Sequence, residues 1–178
     1  MHSFASKDGD FEFTVRNCAR FVADLMTELD IGGAVLIGTS MGGYIAAHMV
    51  CAGLRRVEAL ALVGTIGIVP MELDARHTLG ARFGGVTRDG IERKLRNVMF
   101  DDDLVGERLA ALPDRPPIAV IWGREDRAIP LSTGHACRDL LSPELFAEIP
   151  DAAHALISSG RRRSTPSCSN FYRSNRDG

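Results

Sequence analysis

The sequence predicts an α/β fold built on a mostly parallel sheet of about four strands, with helices on its faces. Three observations support this prediction. Short apolar runs alternate with stretches of helical spacing along the chain. The runs are apolar on both faces, which is typical of parallel strands covered by helices. The chain has 178 residues, of which 45% are hydrophobic and 25% are charged, and this fits one globular domain.

The first predicted helix covers about residues 15–29, and Thr14 is a suitable residue to cap its first turn. Its apolar side chains recur at helical spacing, and we expect them to form one buried face. They are Cys18, Phe21, Val22, Leu25, Met26 and Leu29. The segment 30–33 ends this helix. The apolar run 34–37 follows as a strand that we expect to be covered on both faces.

That strand leads directly into a turn, Gly38-Thr39-Ser40-Met41-Gly42, and a helix predicted over 44–51. In a strand–turn–helix context the pattern G-x-S-x-G indicates a nucleophile elbow. The serine of such an elbow has a strained backbone and needs small neighbours, which Gly38 and Gly42 provide, with Gly43 beside them. The backbone N–H of Met41 should point to where an oxyanion forms. A glycine-rich turn without chemistry is the alternative.

Three further strands are predicted over 57–64, 118–122 and 145–149, and another helix over 131–141. Residues 65–115 lack strand periodicity, so we expect a partly helical, cap-like insertion there. We expect a helix at 89–99 and a solvated loop or helix cap at the acidic run 101–103 rather than a metal site.

Three loops at the predicted carboxyl ends of strands carry Ser40, Asp126 and His154, in that order. Active groups of parallel α/β sheets lie in such loops. A serine hydroxyl is a weak nucleophile, and an imidazole oriented by a carboxylate can remove its proton. Glu125 competes with Asp126 as the acid, whereas Asp151 is expected to be a turn residue.

Three other histidines have simpler interpretations. His48 and His135 fall in predicted helices, so we expect packing or surface positions for them. His77 lies in the insertion, where it either lines a pocket or occupies a solvated loop.

With these motifs the chain resembles the α/β-hydrolase-fold serine hydrolases. The resemblance covers about residues 13–156 and rests on three blocks: Gly-Thr-Ser-Met-Gly-Gly, Ile-Trp-Gly-Arg-Glu-Asp-Arg-Ala-Ile-Pro and Glu-Ile-Pro-Asp-Ala-Ala-His. The second block is especially similar to the esterase and carbon–carbon-bond hydrolase branches. The resemblance implies that Ser40 is the nucleophile, that His154 is the general base and then acid, and that Asp126 orients the imidazole. It also places 65–115 at the family's cap position.

The sequence departs from the family pattern at both ends, so we expect a partial α/β-hydrolase domain over 1–159. Family members have several strands before the elbow and a His-Gly loop that supplies a second oxyanion amide, and residues 1–33 contain neither. We therefore expect Met1 to be an internal start and strand 34–37 to be an exposed edge through which the chain self-associates. The segment 160–178 lacks an apolar stripe, so we expect a disordered tail and an altered reading frame after about Ser159.

The sequence thus predicts a serine hydrolase that acts on a small-molecule carboxylic ester or a related acyl or carbon–carbon bond. No cofactor or metal is expected, because the three residues supply nucleophile, base and orienting acid. A catalytically impaired remnant and a non-catalytic binding domain are the alternatives. The motifs do not indicate which substrate is used.

Composition gives expectations about partners and location. A net charge of −2 does not suggest a nucleic-acid partner, even with the arginines 161–163. No apolar run is long enough to span a membrane, and the N-terminus lacks an apolar signal segment. The scattered cysteines indicate reduced thiols, so we expect a cytoplasmic location. They are Cys18, Cys51, Cys137 and Cys168.

Overall fold

The computed structural model describes residues 14–70 and 104–154. In these ranges helices and strands follow one another along the chain. They are α1 (Val15–Glu28), β1 (Gly33–Thr39), α2 (Met41–Cys51), β2 (Arg56–Val63), α3 (Gly106–Ala110), β3 (Ile118–Gly123), α4 (Leu131–Leu141) and β4 (Leu145–Ile149). The predicted helix at 89–99, the acidic run 101–103 and the tail 160–178 lie outside the described residues.

The four strands form one sheet in the order β1-β2-β3-β4, and every pair is parallel. This confirms the predicted sheet. The register pairs Thr39 with Val63, Val63 with Ile121, and Gly123 with Ile149. The carboxyl ends of all four strands therefore meet at one edge, where the loops that follow them come together.

The two central strands carry the most buried part of the core. Leu60, Leu62, Ile118, Val120 and Trp122 are all fully buried. The Trp122 indole Nε1 donates a 2.9 Å hydrogen bond to the carbonyl of Ile129. Because Ile129 lies in the loop after β3, this bond fixes that loop on the core and thereby positions the neighbouring Asp126.

Helix α1 buries only part of the predicted face. Cys18 and Met26 are buried, but Phe21, Leu25 and Leu29 are 60%, 47% and 61% exposed. The buried stripe instead runs through small residues and includes Val15, Cys18, Ala19, Ala23 and Met26. Small side chains allow close packing of α1 against α2, which it contacts. The prediction had followed only the larger apolar residues.

The prediction that both faces of β1 are covered is wrong. Val35 is 39% exposed and Ile37 is 60% exposed. Alternate residues of a strand point to opposite faces, so 35 and 37 share one face. Helix α2 contacts β1, and in the part of the chain that the structure describes β1 pairs only with β2. Among the described strands β1 is thus an edge strand, and one of its faces is apolar and open.

Candidate active site

Ser40 joins β1 to α2 with a backbone conformation that non-glycine residues rarely adopt, φ 54° and ψ −123°. Its amide donates to the carbonyl of Val63 at 2.9 Å. Its carbonyl accepts from Thr65 Oγ1 at 2.8 Å and from the Gly43 amide at 3.0 Å. The Ser40 side chain makes no capping hydrogen bond to α2. The backbone is therefore held on both sides, while the hydroxyl is not used to cap the helix.

Gly38 has the steric role predicted for it, whereas Gly42 does not. A Cβ on Gly38 would lie 2.5 Å from the Gly42 carbonyl oxygen, and one on Gly43 would lie 2.7 Å from the Thr65 Cβ. On Gly42 it would have no described atom within 4 Å. The need for a small residue after the serine thus falls on Gly43, because the first turn of α2 faces Thr65 at that position.

Asp126 follows β3 and is only 6% exposed. Its Oδ1 accepts two backbone hydrogen bonds, from Ala128 at 2.9 Å and from Ile129 at 2.8 Å. Its Oδ2 accepts from His154 Nδ1 at 2.8 Å. One carboxylate oxygen is thus fixed by the loop, and the other binds the imidazole.

His154 follows β4, and its loop is joined to the loop that carries Asp126. The Arg124 amide donates to the Ile149 carbonyl and the Glu125 amide to the Ala152 carbonyl, each at 3.0 Å. The His154 side chain is 24% exposed. With Nδ1 directed at Asp126, the imidazole keeps part of its surface open to solvent.

Gly64 and Thr65, which the sequence analysis did not single out as site residues, lie between these groups. Gly64 has a φ of +48°, and a Cβ there would lie 3.3 Å from Asp126 Oδ2 and 3.5 Å from His154 Nδ1. Its neighbours Val63 and Thr65 bind the backbone of Ser40. A glycine placed where a buried strand meets a loop was the available signal.

The structure shows where the alternative acids and two of the other histidines lie. Asp126, not the exposed Glu125, bonds to His154. Asp151 is an exposed turn residue with φ 57°, as expected. His48 is buried in α2, and His135 of α4 contacts Glu148 at 3.0 Å. His77 lies outside the described residues.

Local environment shifts the pKa of three side chains outside the candidate site. The hydrogen bond from His135, followed by that from Arg124, lowers the pKa of Glu148 on β4. Burial raises the pKa of the Cys137 thiol to about 12 and also raises that of Cys18. Neither cysteine is therefore a candidate nucleophile, since the thiolate is the reactive form.

A cavity of about 420 Å³ lies near the opposite, amino-terminal edge of the sheet and contains none of the predicted site residues. Arg56 and Val57 at the start of β2 and Pro116 before β3 are among the residues that line it.

Among the residues with described positions, no group of three His, Cys, Asp or Glu residues could hold a metal ion. No helix within 14–70 or 104–154 is long and apolar enough to cross a membrane.

Comparison with known proteins agrees with this geometry. Residues 2–89 match the family model of the alpha/beta hydrolase fold. A 2-hydroxy-6-oxononadienedioate/2-hydroxy-6-oxononatrienedioate hydrolase of Paraburkholderia xenovorans is 31% identical over 65% of this chain and 54% of its own length. The uncharacterized hydrolase YugF of Bacillus subtilis is 23% identical over 83% of this chain and 65% of its own length. The chain thus spans about half the length of the first of these curated relatives.

Solved structures show the same fold. An alpha/beta hydrolase enzyme from a sediment metagenome of the Mar Chica lagoon superimposes with a TM-score of 0.72 at 19% identity, over 94% of this chain and 73% of that one. A meta-cleavage product hydrolase from Pseudomonas fluorescens gives a TM-score of 0.60 at 17% identity, over 98% and 74%. The chain therefore has the α/β-hydrolase fold, and the curated relatives reported above are named as hydrolases.

Proposed function

We propose that the chain is a serine hydrolase that forms an acyl-enzyme at Ser40. The hydrogen bond between His154 Nδ1 and Asp126 Oδ2 is the observation that carries this proposal. Asp126 is held in place by two backbone amides, and Ser40 occupies a strained elbow at the same edge of the sheet. An acid–histidine pair beside a strained serine is the arrangement that activates a hydroxyl for attack.

In the proposed reaction the Ser40 oxygen attacks the substrate carbonyl carbon while His154 Nε2 takes the hydroxyl proton. Asp126 keeps Nδ1 protonated, so that Nε2 is free to accept, and stabilises the resulting imidazolium. The amide of Met41, at the start of α2, is the proposed donor to the oxyanion. His154 then returns the proton to the leaving group, and a water molecule, activated in the same way, releases the acid product.

The substrate class that we propose is a small-molecule carboxylic ester or a ketone with a cleavable carbon–carbon bond. The ester follows from the site itself, because an acyl-enzyme requires only a carbonyl with a leaving group. The ketone is suggested by relatives that are named as 2-hydroxy-6-oxononadienedioate hydrolases. With such a ketone, Ser40 would attack the keto carbonyl, and the leaving group would be a carbanion in place of an alkoxide.

A modest rate is expected with Met41 as a single oxyanion donor. Met41 is the one oxyanion donor that we can name among the described residues. Loss of one such donor costs roughly 10²–10³ in kcat in other hydrolases. An impaired hydrolase is therefore the second candidate function. The cytoplasmic location and the small-molecule partner remain predictions from the sequence.

Steady-state hydrolysis of p-nitrophenyl esters of increasing acyl length tests the proposal. Ser40→Ala should remove the activity, whereas Ser132→Ala, at an exposed serine of α4, should retain it. A 2-hydroxy-6-oxo-dienoate assayed in parallel distinguishes the two substrate classes by their kcat/KM. Folded protein whose ester hydrolysis is unchanged by Ser40→Ala would contradict the proposal.

A further inference from the structure

We infer that the three-residue corner Val63–Thr65 is a positioning element that sets Ser40 against the Asp126–His154 pair, with Thr65 as its key side chain. The kinetic test of this inference rests on the proposed function, whereas the test by amide hydrogen exchange does not. The corner touches both halves of the site through separate contacts.

The first contact is with the backbone of Ser40. The Ser40 amide donates to Val63, and its carbonyl accepts from Thr65 Oγ1 at 2.8 Å. Thr65 Oγ1 also lies 3.3 Å from the Ile66 carbonyl, but a hydroxyl donates one hydrogen, and the shorter distance favours Ser40. Thr65 is fully buried, so water cannot replace this bond. The hydroxyl therefore helps to hold Ser40 at its unfavourable φ.

The second contact is with the acid and the histidine. The Cα of Gly64 faces Asp126 and His154 so closely that an added Cβ would lie 3.3 Å from Oδ2. The Gly64 amide donates to Ile121 at 3.0 Å, which ties the corner to β3. Since β3 leads to Asp126, the corner is a short, hydrogen-bonded connection between Ser40 and the Asp126–His154 pair. It therefore sets the distance between them.

Substitutions at Thr65 separate positioning from general stability. Thr65→Val keeps the size but removes the donor, Thr65→Ser keeps the donor, and Thr65→Cys supplies a weaker one. We expect the first-order labelling rate by a fluorophosphonate, and kcat for an ester, to fall roughly 10- to 100-fold in Thr65→Val with KM little changed. Thr65→Ser should recover most of the rate. Thr133→Val is the matched control, because Thr133 is also buried but lies in α4.

Gly64→Ala tests the second contact, and Gly53→Ala is its control. Both glycines have a positive φ, 48° and 59°, but a Cβ at Gly53 would have no described atom within 4 Å. Both variants should be destabilised by backbone strain. Only Gly64→Ala should also shift the midpoint of the pH–labelling profile, because only its Cβ presses on the Asp126–His154 pair. Thr65→Val should leave that midpoint unchanged.

Amide hydrogen exchange provides a readout that needs no activity. Thr65→Val should speed exchange at Ser40 and Gly43 beyond the change in global stability, and Thr133→Val should not. Equal labelling rates and equal exchange in Thr65→Val and the native chain would overturn the inference. If the native chain does not label at all, the proposed function fails, and the exchange data alone decide the inference. If Thr65→Val does not fold, the ranking Thr, Ser, then Cys decides it.

Discussion

Replacement of Asp126 by asparagine should almost abolish activity through the tautomer of His154. Oδ1 of Asp126 accepts from two backbone amides, Ala128 and Ile129. In Asp126→Asn only the amide oxygen can accept these two bonds, so the NH₂ group must point at His154. Nδ1 must then accept a hydrogen bond, which places the proton on Nε2. An imidazole with a protonated Nε2 cannot take the proton of Ser40.

The size of the effect follows from this forced orientation. The comparable exchange in serine proteases lowers kcat by about 10⁴. The two anchoring bonds also change from charged to neutral acceptors, which should lower the free energy of unfolding by about 1–2 kcal/mol. The loss of activity thus exceeds what the loss of stability explains, because most molecules remain folded.

The assay compares kcat for an ester in Asp126→Asn and in Glu125→Gln, with urea unfolding of both variants. Glu125 is the exposed neighbour, so its variant should keep native activity. Nitrogen NMR of His154 should show the proton on Nδ1 in the native chain and on Nε2 in Asp126→Asn. A folded Asp126→Asn protein within tenfold of native kcat would refute the reasoning.

Three other predictions follow from the same contacts. Gly38→Ala should lower the free energy of unfolding by about 1–3 kcal/mol or more, because its Cβ would lie 2.5 Å from the Gly42 oxygen. Urea unfolding measures this loss with Gly42→Ala as the control, and an equal loss of stability in both variants would contradict the prediction. His135 and Arg124 lower the pKa of Glu148 in the folded protein below its ordinary value of 4.5. Their contacts therefore stabilise the fold above pH 4.5, and this stabilisation is lost as the pH falls through the lowered pKa of the folded protein. The stability difference between the native chain and Glu148→Gln should shrink in that acid range, and a constant difference would refute it. Ile37→Lys should reduce self-association through the open face of β1, measured by light scattering, and a native chain that is monomeric at all concentrations would contradict the predicted self-association.

The strands and the site loops were predictable because their signals are local. Apolar runs such as 118–122 can be buried only in a covered sheet. The chain order of Ser40, Asp126 and His154 then places all three at one edge once the strands are parallel. Placing the three residues at this edge requires no knowledge of contacts between residues distant in sequence.

The errors concern information that a single segment does not contain. Whether Phe21 and Leu25 of α1 are buried depends on how closely α2 approaches, which small residues decide. The exposure of Ile37 depends on what pairs with β1. The roles of Gly64 and Thr65 depend on contacts with Ser40 and Asp126, which are distant in sequence.

The most direct test of the central claim is to map the residue that a fluorophosphonate modifies. Intact-mass spectrometry should show one adduct per folded chain, and peptide mapping should place it on Ser40. Asp126→Asn should react far more slowly, and Ser40→Ala should not react at that site. An adduct on another residue, or no adduct on protein that unfolds cooperatively and is therefore folded, would contradict the account.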